Sequence, residues 1–130
     1  MNISILTTNG ITVMVETAYL PLHSDPRAER FVFAYYITIE NGSNQTVQLL
    51  RRHWFITDGA GQVREVEGEG VIGEKPVLAP GASHSYQSYC ELDTDIGKMQ
   101  GNYTMQRQAD RELFEVVIPD FVLTVPARLN

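Results

Sequence analysis

The 130-residue sequence contains one cysteine, Cys90, and this scarcity excludes whole classes of small protein. A single thiol cannot form an internal disulfide or supply a cysteine-based zinc cluster. No hydrophobic run approaches the roughly 20 residues of a membrane-spanning helix. The N-terminus also lacks the basic start and apolar stretch of a secretory signal. We therefore expect a cytoplasmic protein without membrane insertion, built as a single domain over residues 1–130.

Positive charge is also scarce in this chain. Ten Lys and Arg residues stand against 16 Asp and Glu residues, so the formal net charge is −6. An acidic protein is not drawn to phosphate backbones or anionic lipid, and nucleic acid is not an expected partner. The hydrophobic fraction of 43% is ordinary for a globular protein of this length, which can bury a sizeable core.

Amphipathic helical patterns are missing, and short alternating segments take their place. Val13 and Val15 share a face by alternation, as do Phe33 and Tyr35, and all four are predicted inside together with Trp54. Short strands separated by turn residues indicate an all-β antiparallel sandwich of seven or eight strands, with helix limited to a turn or two. The predicted strands are Ile11–Leu20, Phe31–Glu40, Thr46–Asp58, Val63–Gly68, Ser83–Leu92, Gly101–Gln108 and Leu113–Val125, and Ala109–Leu113 is the segment expected to form at most one helical turn.

A glycine-rich stretch, Gly68–Gly73, reads GEGVIG and matches the G-x-G-x-x-G spacing of dinucleotide-binding loops. Those loops hold a pyrophosphate at the N-terminus of the helix that follows them. Here prolines follow instead, and neighbouring glutamates would repel a phosphate. Gly68, Gly70 and Gly73 are therefore predicted to shape an irregular connection, at least one of them at positive φ. A nest of N–H groups that holds an anion stays open as the alternative.

The longest ordered pattern is LLRRHWFITDGAGQVREVEGEGVIGEKPVLAPG, which covers Leu49–Gly81. Together with the G-x-M-x-G-x-Y-x-M element at Gly97–Met105, it resembles the ApaG family, also called CorD. The resemblance implies a fibronectin type III-like, immunoglobulin-like β-sandwich, with related domains attached to F-box proteins and to a polymerase-interacting protein. It also implies an association with cobalt resistance and magnesium efflux. It does not specify a reaction, because a fold does not determine a function.

Two adjacent arginines stand beside the only tryptophan, Trp54. Alternation along a strand puts Arg52 and Trp54 on one face, and Arg51 and His53 on the other. One interpretation pairs the arginines with nearby glutamates. The other is an anion-binding patch, because guanidinium groups bind phosphates and carboxylates bidentately. For pyrophosphate or a nucleotide, the candidate binding residues are Gly68, Gly70, Gly73, Arg51 and Arg52.

Metal and catalytic residues are not assigned. His23, His53 and His84 are far apart in sequence and show no paired ligand spacing, so neither a metal site nor a cofactor is predicted. Cys90 lies in a strand pattern without a histidine close by, and the glutamates of residues 65–69 share a face that is expected to be solvated. The sequence therefore predicts a protein that is not an enzyme.

Two functional classes follow from these observations. The first is a protein-interaction module with an unidentified protein partner, favoured by the acidic composition and the lack of a catalytic set. The second is a small-molecule binder of pyrophosphate or a nucleotide, favoured by the glycine spacing. The sequence leaves open whether the chain forms a homo-oligomer.

Overall fold

A computed structural model describes residues 3–126 as two packed antiparallel β-sheets. One sheet has the strand order β1-β2-β3-β7, and the other has the order β5-β4-β8-β9 with the short β6 also paired to β4. The nine strands are β1 (Ile3–Thr8), β2 (Ile11–Tyr19), β3 (Phe31–Asn41), β4 (Val47–Asp58), β5 (Val63–Glu69), β6 (Val77–Leu78), β7 (Ser83–Leu92), β8 (Ile96–Arg107) and β9 (Leu113–Thr124).

The core lies between the two sheets and is built from the inward-facing residues of each strand. The predicted interior residues are all buried: Val13, Val15, Phe33, Tyr35 and Trp54. Aromatic side chains from both sheets meet at its centre, where the rings of Tyr35 and Trp54 stand edge to face with centroids 5.5 Å apart. Period-2 alternation therefore identified the buried face, and the fibronectin type III-like sandwich is confirmed.

The structure differs from the sequence prediction in its small elements. Strand β1 was not predicted, although it pairs along its whole length with β2. Its residues are mostly exposed, so they lack the apolar alternation that marks a half-buried strand. Two single 3₁₀ turns begin at prolines, over Pro21–His23 and Pro26–Ala28, and the predicted helical turn at Ala109–Leu113 is an ordinary turn.

The described residues contain no helix that is long and apolar enough to cross a membrane.

Candidate functional site

The sandwich is open along one side, between the end strands β5 and β7 of the two sheets. On the opposite side β1 contacts β9, and the N–H of Val117 donates to Oγ1 of Thr8 at 3.4 Å. Between β5 and β7 lie two adjoining cavities of about 230 and 350 Å³, here called the β5–β7 groove. Both cavities share four lining residues: Tyr35, Arg52, Trp54 and Ser88.

One end of the groove is built from Arg52 and the loop that follows β5, residues 70–73, here called the glycine loop. Nη1 of Arg52 donates to the carbonyl oxygens of Glu69 at 3.1 Å and Gly70 at 2.9 Å. A Cβ on Gly68 would lie 2.8 Å from the guanidinium carbon, so the glycine allows the arginine to lie flat against the backbone. Gly68 is part of strand β5 and not of the connection that follows, which corrects the prediction for this residue.

The loop beyond β5 is a tight turn whose amides are largely engaged by the protein itself. The N–H of Gly70 donates to Leu50 O at 2.7 Å, and Val71 and Glu74 exchange two backbone hydrogen bonds. Gly70 and Gly73 have φ of +63° and +74°, so the prediction of at least one positive-φ glycine is confirmed. An amide that already donates to a carbonyl does not offer its hydrogen to an anion.

The two arginines lie on opposite faces of the sheet, as alternation predicted. Arg52 reaches the groove, whereas Arg51 lies on the outer face, where its Nη1 is 3.4 Å from Oε1 of Glu69 and its Nη2 is 3.9 Å from Oε2 of Glu67. The structure thus brings Arg52 to the glycine loop and places Arg51 among the glutamates.

The other end of the groove is bridged by Arg64 of β5. Its Nη2 donates to the carbonyl oxygen of Glu91 on β7 at 2.5 Å and lies 3.5 Å from Sγ of Cys90. Burial raises the pKa of the Cys90 thiol, and Arg64 offsets only part of that effect. The thiol is therefore protonated at neutral pH and is not an activated nucleophile.

Buried phenols lie between the sheets beneath the groove. The hydroxyls of Tyr86 and Tyr103 are 2.5 Å apart and share a hydrogen bond. Burial raises the pKa of both tyrosines and of Tyr35 above the ordinary value, so all three are neutral at physiological pH. The hydroxyl of Tyr35 is hydrogen-bonded to Ser88, so all three phenols are engaged within the protein.

Strand β7 presents an unusual edge beside this groove. Over residues 3–126 it pairs only with β3, so no strand pairs with its other side, where the Glu91 carbonyl accepts the bond from Arg64. Its sequence, SHSYQSYCEL, has neither lysine nor proline, and Glu91 is its only acidic residue. Natural edge strands are usually protected from further pairing by lysine, by proline, by bulges or by being short. Strand β7 contains no lysine and no proline, and it is ten residues long.

A cluster on the outer face of β4 and β5 was missed by the sequence analysis. Nε2 of His53 lies 3.2 Å from Oε1 of Glu65 and 3.2 Å from Oε1 of Glu67. The hairpin register places His53 directly opposite Glu67. Local histidine spacing cannot reveal this pairing, and counting outward from a four-residue Asp58–Gly61 turn would set His53 opposite Val66. The observed register is one residue further on, because the N–H of Asp58 donates to the carbonyl oxygen of Gln62.

The other two histidines lie apart from this cluster. His84 has its Nε2 3.6 Å from a single carboxylate oxygen of Glu74, and His23 ends the first 3₁₀ turn.

A family model described as the ApaG domain matches residues 21–107 of the chain. The chain is 48% identical over 124 residues to "Protein ApaG" of Pseudomonas paraeruginosa (strain DSM 24068 / PA7), covering 95% of this chain and 98% of that one. It is 51% identical over 119 residues to "Protein ApaG" of Brucella suis biovar 1 (strain 1330), covering 92% and 91%. The names of these relatives state no reaction.

Solved structures show the same architecture. The crystal structure of the putative ApaA protein from Bordetella pertussis superposes with a TM-score of 0.87 at 44% identity, covering 89% of this chain and 94% of that one. A protein from Archaeoglobus fulgidus with 9% identity reaches a TM-score of 0.51, which shows likeness of fold alone.

Proposed function

The chain belongs to the ApaG family, and from that premise we propose that it is a protein-interaction module and not an enzyme. The observation that supports this proposal is the unpaired edge of β7 beside the β5–β7 groove. An extended segment of a partner protein would add to β7 as a further antiparallel or parallel strand. Main-chain hydrogen bonds would supply affinity, and pockets along the edge would select side chains.

The direction of the β7 backbone groups follows from one hydrogen bond at its start. The N–H of Asn41 donates to the carbonyl oxygen of Ala82, at 2.9 Å. Backbone groups alternate along an antiparallel strand, so the even-numbered residues after Ala82 pair with β3. The odd-numbered residues, Gln87 and Tyr89 among them, direct their N–H and C=O groups outward. The bond from Arg64 to the Glu91 carbonyl agrees with this assignment.

The groove supplies the side-chain contacts for such a partner. Tyr89 is 61% exposed on β7, and Arg52 lines both adjoining cavities, whereas Trp54 and Tyr35 are buried and form their floor. Tyrosine and arginine are among the residues that most often dominate interface energetics. The cobalt-resistance and magnesium-efflux association that the family resemblance implies would, in this proposal, act through the partner protein.

Proline at an outward position of β7 tests the proposal. Gln87→Pro removes an outward N–H and leaves the bonds to β3 in place, whereas the control Gln87→Ala keeps the N–H and removes the side chain. Proteins captured from a lysate by the wild type are then compared between the two variants. We expect a specific partner to bind the wild type and Gln87→Ala and to be lost with Gln87→Pro. Equal capture by all three would contradict strand addition at β7.

A second candidate function is the binding of pyrophosphate or a nucleotide at the glycine loop, and the placement of Arg52 against Gly68 favours it. The amides of Gly70, Val71 and Glu74 oppose it, because they already donate within the protein. A thermal-unfolding titration with pyrophosphate distinguishes the two functions, since a ligand of the native state raises its melting temperature. The interaction-module proposal expects no saturable shift at millimolar pyrophosphate. A shift that Arg52→Gln abolishes would establish the anion binder.

A further inference from the structure

We propose that His53, Glu65 and Glu67 form a binding site for a divalent cation of the class that accepts imidazole and carboxylate ligands, with Zn²⁺ the best-matched ion. The three potential ligand atoms lie within 4.8 Å of one another on the outer face of the β4–β5 hairpin. The site is separate from the β5–β7 groove, because Arg52 and Trp54 occupy the opposite face of β4.

Both distances from the imidazole nitrogen to the carboxylate oxygens are close to those of a tetrahedral metal centre. Bonds of about 2.0–2.1 Å to nitrogen and about 2.0–2.2 Å to oxygen place neighbouring tetrahedral ligands about 3.4 Å apart. Nε2 of His53 is 3.2 Å from Oε1 of each glutamate. The two carboxylate oxygens lie within 4.8 Å of each other, so a cation would draw them together by rotation of the exposed glutamate side chains. A fourth position open to solvent would hold water.

The missing hydrogen bond of the His53 imidazole nitrogen is a second observation that points to a metal ligand. Nε2 of His53 is screened from solvent, yet it has no hydrogen-bond partner among the described residues. Both carboxylate oxygens are close enough for a hydrogen bond, so it is direction and not distance that fails. The nitrogen therefore faces two carboxylate oxygens at 3.2 Å without a hydrogen bond to either of them, an arrangement that a shared cation would satisfy.

Neighbouring residues hold the ligands in place. The ring of His53 packs against the ring of Phe55, with centroids 4.5 Å apart. Arg51 approaches the other carboxylate oxygen of Glu67, Oε2, and leaves Oε1 directed at the histidine. Packing and outer hydrogen bonds of this kind orient metal ligands and tune their affinity.

The chain offers two matched controls for this site. Glu69 follows Glu65 and Glu67 on the same face of β5, but its carboxylate contacts Arg51 and Lys75. His84 faces only one carboxylate, that of Glu74. Neither residue belongs to the three-ligand cluster.

The test titrates the metal-free full chain with ZnCl₂ and follows the imidazole ¹⁵N resonances by NMR. The wild type is compared with His53→Asn, Glu65→Gln and Glu67→Gln, and with the controls Glu69→Gln and His84→Asn. Thermal unfolding without Zn²⁺ confirms that each variant folds. Glu65 and Glu67 are exposed, so their substitution leaves the core intact.

We expect one saturable site in which the Nε2 resonance of His53 shifts first. Each ligand substitution should weaken Zn²⁺ binding about tenfold or more, and both controls should keep the wild-type affinity. The proposal is overturned if the His53 resonances do not saturate at millimolar Zn²⁺. It is equally overturned if the Glu69→Gln or His84→Asn control weakens binding as much as the ligand substitutions do.

Discussion

At the scale of single residues, the two glycines of the glycine loop differ in why a side chain would destabilise them. Gly70 and Gly73 both have positive φ, which side chains rarely adopt. A Cβ on Gly70 would in addition overlap the carbonyl oxygen of Glu74, whereas a Cβ on Gly73 would enter open space. Alanine at Gly73 therefore introduces backbone strain alone, whereas alanine at Gly70 introduces backbone strain together with a steric overlap.

We expect Gly73→Ala to lower the free energy of unfolding by about 1–2 kcal/mol, the cost of the left-handed conformation for a residue with a Cβ. Gly70→Ala should cost more, because the turn from Val71 to Glu74 must also move. Urea unfolding of the two variants measures the difference. Equal losses would show that the overlap at Gly70 is relieved without cost.

The phenol pair gives a second residue-scale prediction. Tyr103 is fully buried, and its hydroxyl is bonded to that of Tyr86. Tyr86→Phe should destabilise the protein by about 1–3 kcal/mol, because a buried hydroxyl loses its partner. The double variant with Tyr103→Phe should lose less than the sum of the single variants, as a double-mutant cycle by chemical denaturation would show. Strict additivity would mean that the hydroxyls do not interact.

At the scale of elements, the backbone N–H groups of β7 point alternately to β3 and to solvent, so proline has different effects at neighbouring positions. The N–H of Ser88 points to β3, whereas that of Gln87 points outward by the same alternation. Ser88→Pro should therefore cost about 1–3 kcal/mol, because an acceptor on β3 loses its donor, while Gln87→Pro should be tolerated as on any edge strand. Thermal unfolding compares them. A larger loss with Gln87→Pro would reverse the assignment of the free side of β7.

Elements also show how far the sequence could predict this molecule. Long strands with one buried face, such as β3 and β4, were predicted within one residue at each end. Strand β8 starts at Ile96, five residues before the prediction, because the exposed turn beside it carries no clear boundary. The two-residue β6 was not predicted at all, since two residues cannot display a period.

In the candidate site, features that depend on a single strand were predicted, and features that depend on contacts between strands were not. Alternation correctly separated Arg52 from Arg51, because the irregularity of β4 lies between Leu49 and Arg51 and alternation holds from Arg51 to the end of the strand. The contact of His53 with Glu65 and Glu67 required pairing between strands, which only the hairpin register supplies. The groove depends on two strands, β5 and β7, from different sheets, and no local pattern specifies that approach.

At the scale of the whole molecule, the buried phenols set an alkaline limit on stability. Burial raises the pKa of Tyr35, Tyr86 and Tyr103 in the folded state, whereas the unfolded chain ionises near pH 10. Above that pH the unfolded state binds fewer protons than the folded state, so the free energy of unfolding falls. The contribution of these groups is complete below pH 10 and is lost as pH rises.

Each such tyrosine should add up to about 1.4 kcal/mol per pH unit to the decline. Urea unfolding between pH 8 and 11 measures the slope for the wild type and for the Tyr86→Phe, Tyr103→Phe double variant. We expect a shallower slope in the double variant and the wild-type slope in the control Tyr36→Phe, whose side chain is exposed. Identical slopes in all three proteins would contradict the role given to burial.

The free edge of β7 is the central claim, and amide hydrogen exchange tests it most directly. In the isolated protein, the amides of Tyr86 and Ser88 should be protected by β3, while those of Ser85, Gln87 and Tyr89 should exchange rapidly. Adding the partner segment that the wild type captures should protect these three amides as well. Slow exchange of all five amides in the isolated protein, or protection by the partner at other strands, would contradict the account.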